Sequence, residues 1–326
     1  VNRPTVLVTA ATVSDLAQGL LRDGGAEIAF MPGPTDEPAL IEALQRTKAA
    51  AVLLRGSPPL TERVMAAAPD LKIIAKHGAG VDSVDIPAAT RHGIAVMVAG
   101  GANAAAVAEH ALAMMLALTR ELPRFDRETR AGGWRDLNAF TRDFSQRTVG
   151  IVGYGQIGER TARLAQACGA TVLVHTRSAV TLPHGMSAEP DFGRLLERVD
   201  ILSLHCPLTD KTRGLLGPAQ FARMKPGALL VNTARGQMID EAALVAALRS
   251  GGLAGAALDT FAVEPPDPAN PLFALPNVIV TPHVAAATTD AMVRMGTIAA
   301  NNIIRWLRGE VYDRRNLLNP EVLLAG

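Results

Sequence analysis

TVGIVGYGQIGERTARLAQA, residues 148–167, is the stretch whose reading decides the fold. It opens on a β-rich apolar run, turns through Gly153, Gly155 and Gly158, and continues with helical periodicity. Glycines at this spacing allow a tight turn, a close approach of main chain to pyrophosphate, and close packing of helix on sheet. The helix N-terminus that follows adds free N–H groups and the positive end of a dipole. A glycine triplet alone carries little weight. With a strand before it, a helix after it and a second strand beyond (ATVLVHT, 170–176), the segment Gly153, Tyr154, Gly155, Gln156, Ile157 and Gly158 reads as a dinucleotide cradle.

Working outward, the strand rhythm continues C-terminally through DILSLHCP (200–207), GALLVNTAR (227–235), LAGAALDTF (253–261) and NVIVTPH (277–283). Six strands separated by helical segments at βαβ spacing match a dinucleotide-binding sheet. N-terminal to the cradle, TVLVTA (5–10), AEIAF (26–30), AAVLLR (50–55), LKIIAK (71–76) and IAVMV (94–98) form a second β/α half with its own sheet. A helical pattern from Asn103 ends near Glu121, ahead of Pro123, and the polar, Arg-rich residues that follow to Arg147 read as a connection between domains. The tail TDAMVRMGTIAANNIIRWLRG (289–309) is too apolar on one face to stand alone and is expected to return to the first half.

The composition agrees with an α/β class. A chain of 326 residues exceeds the usual size of one core, and its 48% hydrophobic content with only 4% aromatics suits helices layered on parallel sheets. Thirty-two basic against 31 acidic residues, with no basic block, argue against nucleic acid as a partner. Cys168 and Cys206 have neither disulfide nor metal-ligand spacing, so no metal is expected and a reducing cytoplasm fits best. The chain opens on a strand-like run rather than a secretory leader. No apolar run approaches the ~20 residues of a membrane span; AAAVAEHALAMMLAL (104–118) carries Glu109 and His110 within it.

The strand after the cradle ends in His175, Thr176, Arg177 and Ser178. NAD enzymes place a carboxylate near here for the ribose 2′-hydroxyl. Hydroxyls and a guanidinium instead suit a 2′-phosphate, so NADP(H) is favoured, with NAD(H) the alternative if Arg177 is merely a solvated turn residue.

Seven ordered landmarks resemble the D-isomer-specific 2-hydroxyacid dehydrogenases, which include phosphoglycerate dehydrogenases and glyoxylate/hydroxypyruvate reductases. They are KHGAGVDSVDI (76–86), NAAAVAEHAL (103–112), GYGQIG (153–158), LHCPLTDKTRGL (204–215), KPGALLVNTARG (225–236), ALDTFAVEP (257–265) and PHVAAAT (282–288), and they span nearly the whole chain. The resemblance implies a Rossmann dinucleotide-binding domain, residues 102–286, inserted into a flavodoxin-like α/β substrate domain made of residues 1–101 and 287–326. It implies catalytic roles for Arg235, Glu264 and His283. Cofactor contacts are implied at His205, Cys206, Pro207, Thr212, Thr233, Ala234, Asp259 and Ala285, and substrate contacts at His77, Gly78 and Ala79, with Arg55 a candidate cation for a substrate phosphate. It also implies a homodimer, with Trp134 a candidate for its surface; His110 is read as a helix-packing residue.

The three catalytic residue types suit one reaction. Hydride delivery to a C2 carbonyl develops negative charge on oxygen, which calls for a proton donor and a cation. Histidine titrates near neutrality, at about 6.5, and a hydrogen-bonded carboxylate raises that value, so Glu264 would keep His283 protonated. The planar fork of Arg235 would hold the substrate carboxylate or carbonyl and fix C2. The expected activity is reduction of a small 2-oxo acid, of glyoxylate or hydroxypyruvate type. The alternatives are a phosphoglycerate dehydrogenase-like enzyme without a regulatory domain and, from another class, a nucleotide-sensing corepressor-like protein.

Overall fold

A computed structural model of the protein describes residues 3–31 and 36–324. It divides into two compact units, one running to Asn103 and resuming at Ala287, the other Ala104–Ala286.

In chain order the first unit begins with β1 (Thr5–Val8), α1 (Asp15–Asp23), β2 (Glu27–Phe30), α2 (Glu37–Thr47), β3 (Ala51–Leu54), α3 (Glu62–Ala66), β4 (Ile73–Lys76), α4 (Ile86–Arg91) and β5 (Ala95–Val98). The second contains α5 (Ala104–Thr119), α6 (Leu122–Arg130), β6 (Thr148–Val152), α7 (Gln156–Ala167), β7 (Thr171–His175), β8 (Met186–Ala188), α8 (Phe192–Arg198), β9 (Ile201–Leu204), α9 (Pro218–Arg223), β10 (Ala228–Asn232), α10 (Glu241–Arg249), β11 (Leu253–Leu258) and β12 (Val278–Val280). The chain then re-enters the first unit as α11 (Thr289–Leu307).

The first sheet is wholly parallel in the order β2-β1-β3-β4-β5, the flavodoxin-like arrangement. Period-2 alternation splits its side chains between two cores. Leu7, Val52, Leu54, Ile74 and Val96 enter one. Val6, Val8, Leu53, Ile73 and Met97 enter the other, which is closed by Ala299, Ala300, Ile303 and Ile304 of α11. This burial explains why the apolar face of the tail returns to the first unit: it seals the second face of a sheet that would otherwise stay wet.

The second sheet runs β12-β11-β10-β9-β6-β7-β8, again all parallel. It is the doubly wound dinucleotide-binding order extended by one strand at the β12 edge. β6 lies between β7 and β9, so the chain reverses its direction of winding there and a crevice opens beyond the carboxyl end of β6. Val149, Ile151, Val172, Val174 and Val231 pack on one face, and Leu173, Leu202, Leu204, Leu230 and Leu258 on the other.

Three sequence expectations change. Seven strands form where six are expected, because β8 is only three residues long, lacks a β-branched run and is framed by Pro183, Gly185 and Pro190. Pro123 does not stop helical structure; it stands in the first turn of α6, where a missing N–H costs nothing. The exposed stretch from Ala131 to Asp143, read from the sequence as a connection between domains, lies within the second unit, and the chain passes between the units at Asn103/Ala104 and Ala286/Ala287. Among the described residues no helix is long and apolar enough to cross a membrane.

Candidate active site

The cradle forms where β6 meets α7. Gly153 has φ +94°, and a Cβ there would stand 2.7 Å from the Cys206 nitrogen. At Gly158 a Cβ would meet the Gly153 carbonyl oxygen at 2.0 Å, so the helix sits too close to the turn for any side chain. Gly155, by contrast, faces open space. It is also the N-cap of α7 and caps nothing with a side chain. The helices α1, α2, α4, α8, α10 and α11 all begin with a Ser, Thr or Asp that accepts from their first turn. A helix of 12 residues that lacks such a cap and opens on glycine leaves the N–H groups of its first turn without a side-chain partner, an arrangement that suits a pyrophosphate.

Gln156 and Ile157 form the first turn of α7, and the half-buried Tyr154 directs its hydroxyl toward the Met186 sulfur at 3.9 Å. Beyond β7, Thr176 is half-buried, and Arg177 and Ser178 are exposed. Glu189, directly after β8, is buried, and its carboxylate is taken by Arg198 at 2.6 Å and the Asp191 N–H at 3.3 Å. On the other side of the cradle, His205 Nε2 meets Ser203 Oγ at 2.8 Å, and burial pushes its pKa down to about 4, so the ring is neutral. Burial pushes the Cys206 thiol up to about 11, which makes it inert at neutral pH. Thr212 accepts from the Thr209 N–H and donates to the Pro207 carbonyl at 2.7 Å each, knitting that loop. The Thr233 hydroxyl is buried and without a partner among the described residues, which fits a site that awaits a polar ligand.

Three loops at the carboxyl ends of β10, β11 and β12 bring Arg235, Glu264 and His283 into one neighbourhood of the second unit. Asn232, fully buried at the end of β10, donates to the Arg235 carbonyl at 2.9 Å and accepts from the Ala234 N–H at 3.0 Å, which folds the Arg235 loop back on itself. Arg235 Nη1 donates to the Ala234 carbonyl at 2.7 Å. The next residue must be glycine. A Cβ on Gly236 would lie 1.9 Å from the Phe261 carbonyl carbon, so the Arg235 loop is pressed against the Glu264 loop.

Glu264 accepts from the Phe261 N–H through Oε1 at 3.0 Å and meets His283 Nδ1 through Oε2 at 2.7 Å. The Glu264 hydrogen bond raises the His283 pKa above the ordinary histidine value, against burial and the nearby Arg235 charge. Burial works to raise the Glu264 carboxyl, but its hydrogen bonds from His283 and the Phe261 N–H outweigh that and hold it below the usual carboxylate range. The ring nitrogen opposite Glu264, Nε2, thus belongs to an imidazole held toward its protonated form. His283 also adopts φ +53°, a left-handed conformation that costs a residue with a Cβ about 1–2 kcal/mol. Its N–H donates to the carbonyls of Asp259 and Thr281 at 2.8 and 3.0 Å.

Asp259 itself is fully buried, and its carboxylate accepts from the Thr281 hydroxyl and the N–H groups of Val284 and Ala285. His110, read from the sequence as a packing residue, instead reaches the Thr281 hydroxyl at 3.2 Å. Asn232 stands inside the KPGALLVNTARG landmark without a signal for this turn, and Thr281 has no signal in the sequence beyond adjacency to a landmark.

Within the first unit, Arg55 follows β3, and Lys76 and His77 close and follow β4, all at the carboxyl edge of the sheet. Arg55 donates to the Thr12 carbonyl at 3.2 Å, and Lys76 Nζ donates to Ser83 Oγ at 2.9 Å. His77 is buried; burial first, and the Arg55 charge second, bring its pKa down to about 4. Gly78 takes φ +149°, and the following Ala79 is exposed.

The chain is similar to known proteins along most of its length. The family model for the D-isomer specific 2-hydroxyacid dehydrogenase, NAD binding domain, matches residues 112–285. A D-3-phosphoglycerate dehydrogenase of Archaeoglobus fulgidus is 37% identical over 305 residues, 93% of this chain but 57% of that protein, so the chain spans little more than half the length of that relative. A glyoxylate reductase of Aeropyrum pernix is 36% identical over 335 residues, covering 99% of this chain and 98% of that protein. A solved protein from Thermus thermophilus superposes with a TM-score of 0.88 at 36% identity, over 96% of this chain and 99% of the other.

Proposed function

The chain belongs to the D-isomer-specific 2-hydroxyacid dehydrogenase family, and from that premise we propose that it interconverts a small 2-oxo acid and its D-2-hydroxy acid, with glyoxylate or hydroxypyruvate as the substrate type. The observation that carries the reading is the 2.7 Å contact between His283 Nδ1 and Glu264, with Arg235 close enough for its charge to bear on both. A bound nicotinamide supplies the hydride that reduces C2. In this reading His283 gives a proton from Nε2 to the C2 oxygen as negative charge develops there, and Glu264 steadies the imidazolium beforehand. Arg235 holds the carboxylate or carbonyl oxygen and adds positive charge where the transition state needs it.

We further infer a preference for NADP(H). Arg177 and Ser178 are exposed beyond β7, and the buried carboxylate nearest that strand in sequence, Glu189, is already engaged by Arg198. A second reading, a phosphorylated 2-oxo acid as in a phosphoglycerate dehydrogenase, has one specific support: two cations, Arg55 and Lys76, stand at adjacent strand ends of the first sheet. Trp134, Leu137 and Phe140 are 85%, 70% and 83% exposed, an apolar strip that a second copy of the chain would cover; a sedimenting mass of one chain would count against a homodimer.

Loss of nicotinamide absorbance tests these readings together. With NADPH and NADH offered in parallel against glyoxylate, hydroxypyruvate and phosphohydroxypyruvate, faster NADPH oxidation with an unphosphorylated acid is expected. Arg177→Asp should then reverse the cofactor order. NADH preference with the phosphorylated acid would contradict both the cofactor and the substrate assignment.

A further inference from the structure

We propose that His110 and Thr281 are positioning residues that act through Asp259 to hold the loop carrying His283 in its working conformation. The proposal rests on the reading of His283 as proton donor, and it concerns what keeps that donor in place.

Asp259 ends β11 with its side chain fully buried. A buried carboxylate is tolerated only when donors surround it, and here every donor comes from a single five-residue segment. Thr281 Oγ1 donates to Oδ1 at 2.6 Å, the Val284 N–H to the same oxygen at 2.8 Å, and the Ala285 N–H to Oδ2 at 2.9 Å. The Asp259 carbonyl takes the His283 N–H at 2.8 Å. His283 thus sits in the middle of a loop whose two ends are gripped by one side chain and whose centre is gripped by the same residue's main chain. Its left-handed φ of +53° is what that grip imposes.

Thr281 has one hydroxyl hydrogen, and the 2.6 Å contact commits it to Asp259. Toward His110 Nε2, 3.2 Å away, the hydroxyl can therefore only accept, so His110 carries its hydrogen on Nε2. That N–H also lies 3.8 Å from the same Asp259 oxygen. His110 comes from α5, so the chain His110 to Thr281 to Asp259 ties the His283 loop to a helix as well as to the sheet. Hydrogen bonds in such a series reinforce one another. Released from it, the His283 backbone would relax toward an ordinary conformation and swing Nδ1 off Glu264.

A role in packing alone would change stability but not the titration of His283, whose ring is influenced by Glu264, Arg235 and Asp259. Thr281→Val, Thr281→Ser, His110→Ala and His283→Ala are compared with the unaltered chain. The readouts are kcat for reduction, cofactor Kd, and the His283 titration midpoint from ring-labelled histidine resonances, assigned by their loss in His283→Ala. Thr281→Val is expected to lower kcat on the order of 10-fold, a displacement effect, to move the His283 midpoint down, and to leave cofactor Kd unchanged. Thr281→Ser should restore both kcat and midpoint, and His110→Ala should shift both in the same direction as Thr281→Val. An unchanged midpoint in Thr281→Val, or no rescue by Ser, would overturn the proposal while inactive His283→Ala left the proton-donor reading standing. Full turnover by His283→Ala would remove that reading and this proposal with it.

Discussion

His283→Ala should bind the cofactor with unaltered affinity and lose reduction by about 10²–10⁴-fold, the range a positioned general acid contributes. The two halves of this expectation come from different parts of the second unit. On the proposed reading the pyrophosphate is held by the cradle at Gly153, Gly155 and Gly158, away from the His283 side chain. The same reading assigns proton transfer to the His283 imidazole, which Glu264 at 2.7 Å holds toward the protonated form. Steady-state kinetics alongside a fluorescence titration of the reduced cofactor separate the two, and wild-type turnover in this variant would remove His283 from the chemistry.

Arg235→Ala should be as severe, about 10²–10³-fold in kcat with a raised KM for the oxo acid, since it removes both a carboxylate anchor and a charge beside the developing oxyanion. Arg235→Lys should recover little of this. The Asn232 turn and the pressed contact at Gly236 fix the direction of the Arg235 main chain, and an ammonium on a flexible stem cannot reproduce a planar two-point grip from that fixed base. A variant with ordinary KM and kcat would assign substrate anchoring elsewhere. Arg235 also works against protonation of His283, so its removal should move the His283 titration upward even as catalysis falls.

The sheets were legible because parallel strands buried on both faces must be written as short apolar runs, and among the described residues eleven of the twelve strands are. β8 escaped because Met186–Ala188 carries too little of that signature. Pro123 was legible as a helix boundary but not as a helix start, since a proline serves either purpose depending on which side the chain folds. The cradle could be read from glycine spacing set between a strand and a helix, for Gly153 and Gly158 answer to steric demands that no other residue meets. Arg235, Glu264 and His283 could not: each was found by its place among ordered landmarks. What holds them was less visible still. Asp259 reaches partners 22 to 26 residues away in sequence, and His110 reaches one 171 residues away. No local pattern encodes contacts of that range; they follow only once β11, β12 and α5 have packed.

The central claim, that Glu264 keeps His283 protonated for transfer to the substrate, is tested most directly by the pH profile of kcat/KM for reduction in the unaltered chain and in Glu264→Gln. The donor must carry its proton, so activity should hold at low pH and fall as pH rises through the raised His283 pKa. Glutamine keeps the shape but not the charge, so the falling limb should move to lower pH, toward the ordinary histidine value of about 6.5, narrowing the range of activity. Superimposable profiles in the two proteins would contradict the claim, because the group that sets the limb would then be indifferent to the carboxylate 2.7 Å from His283.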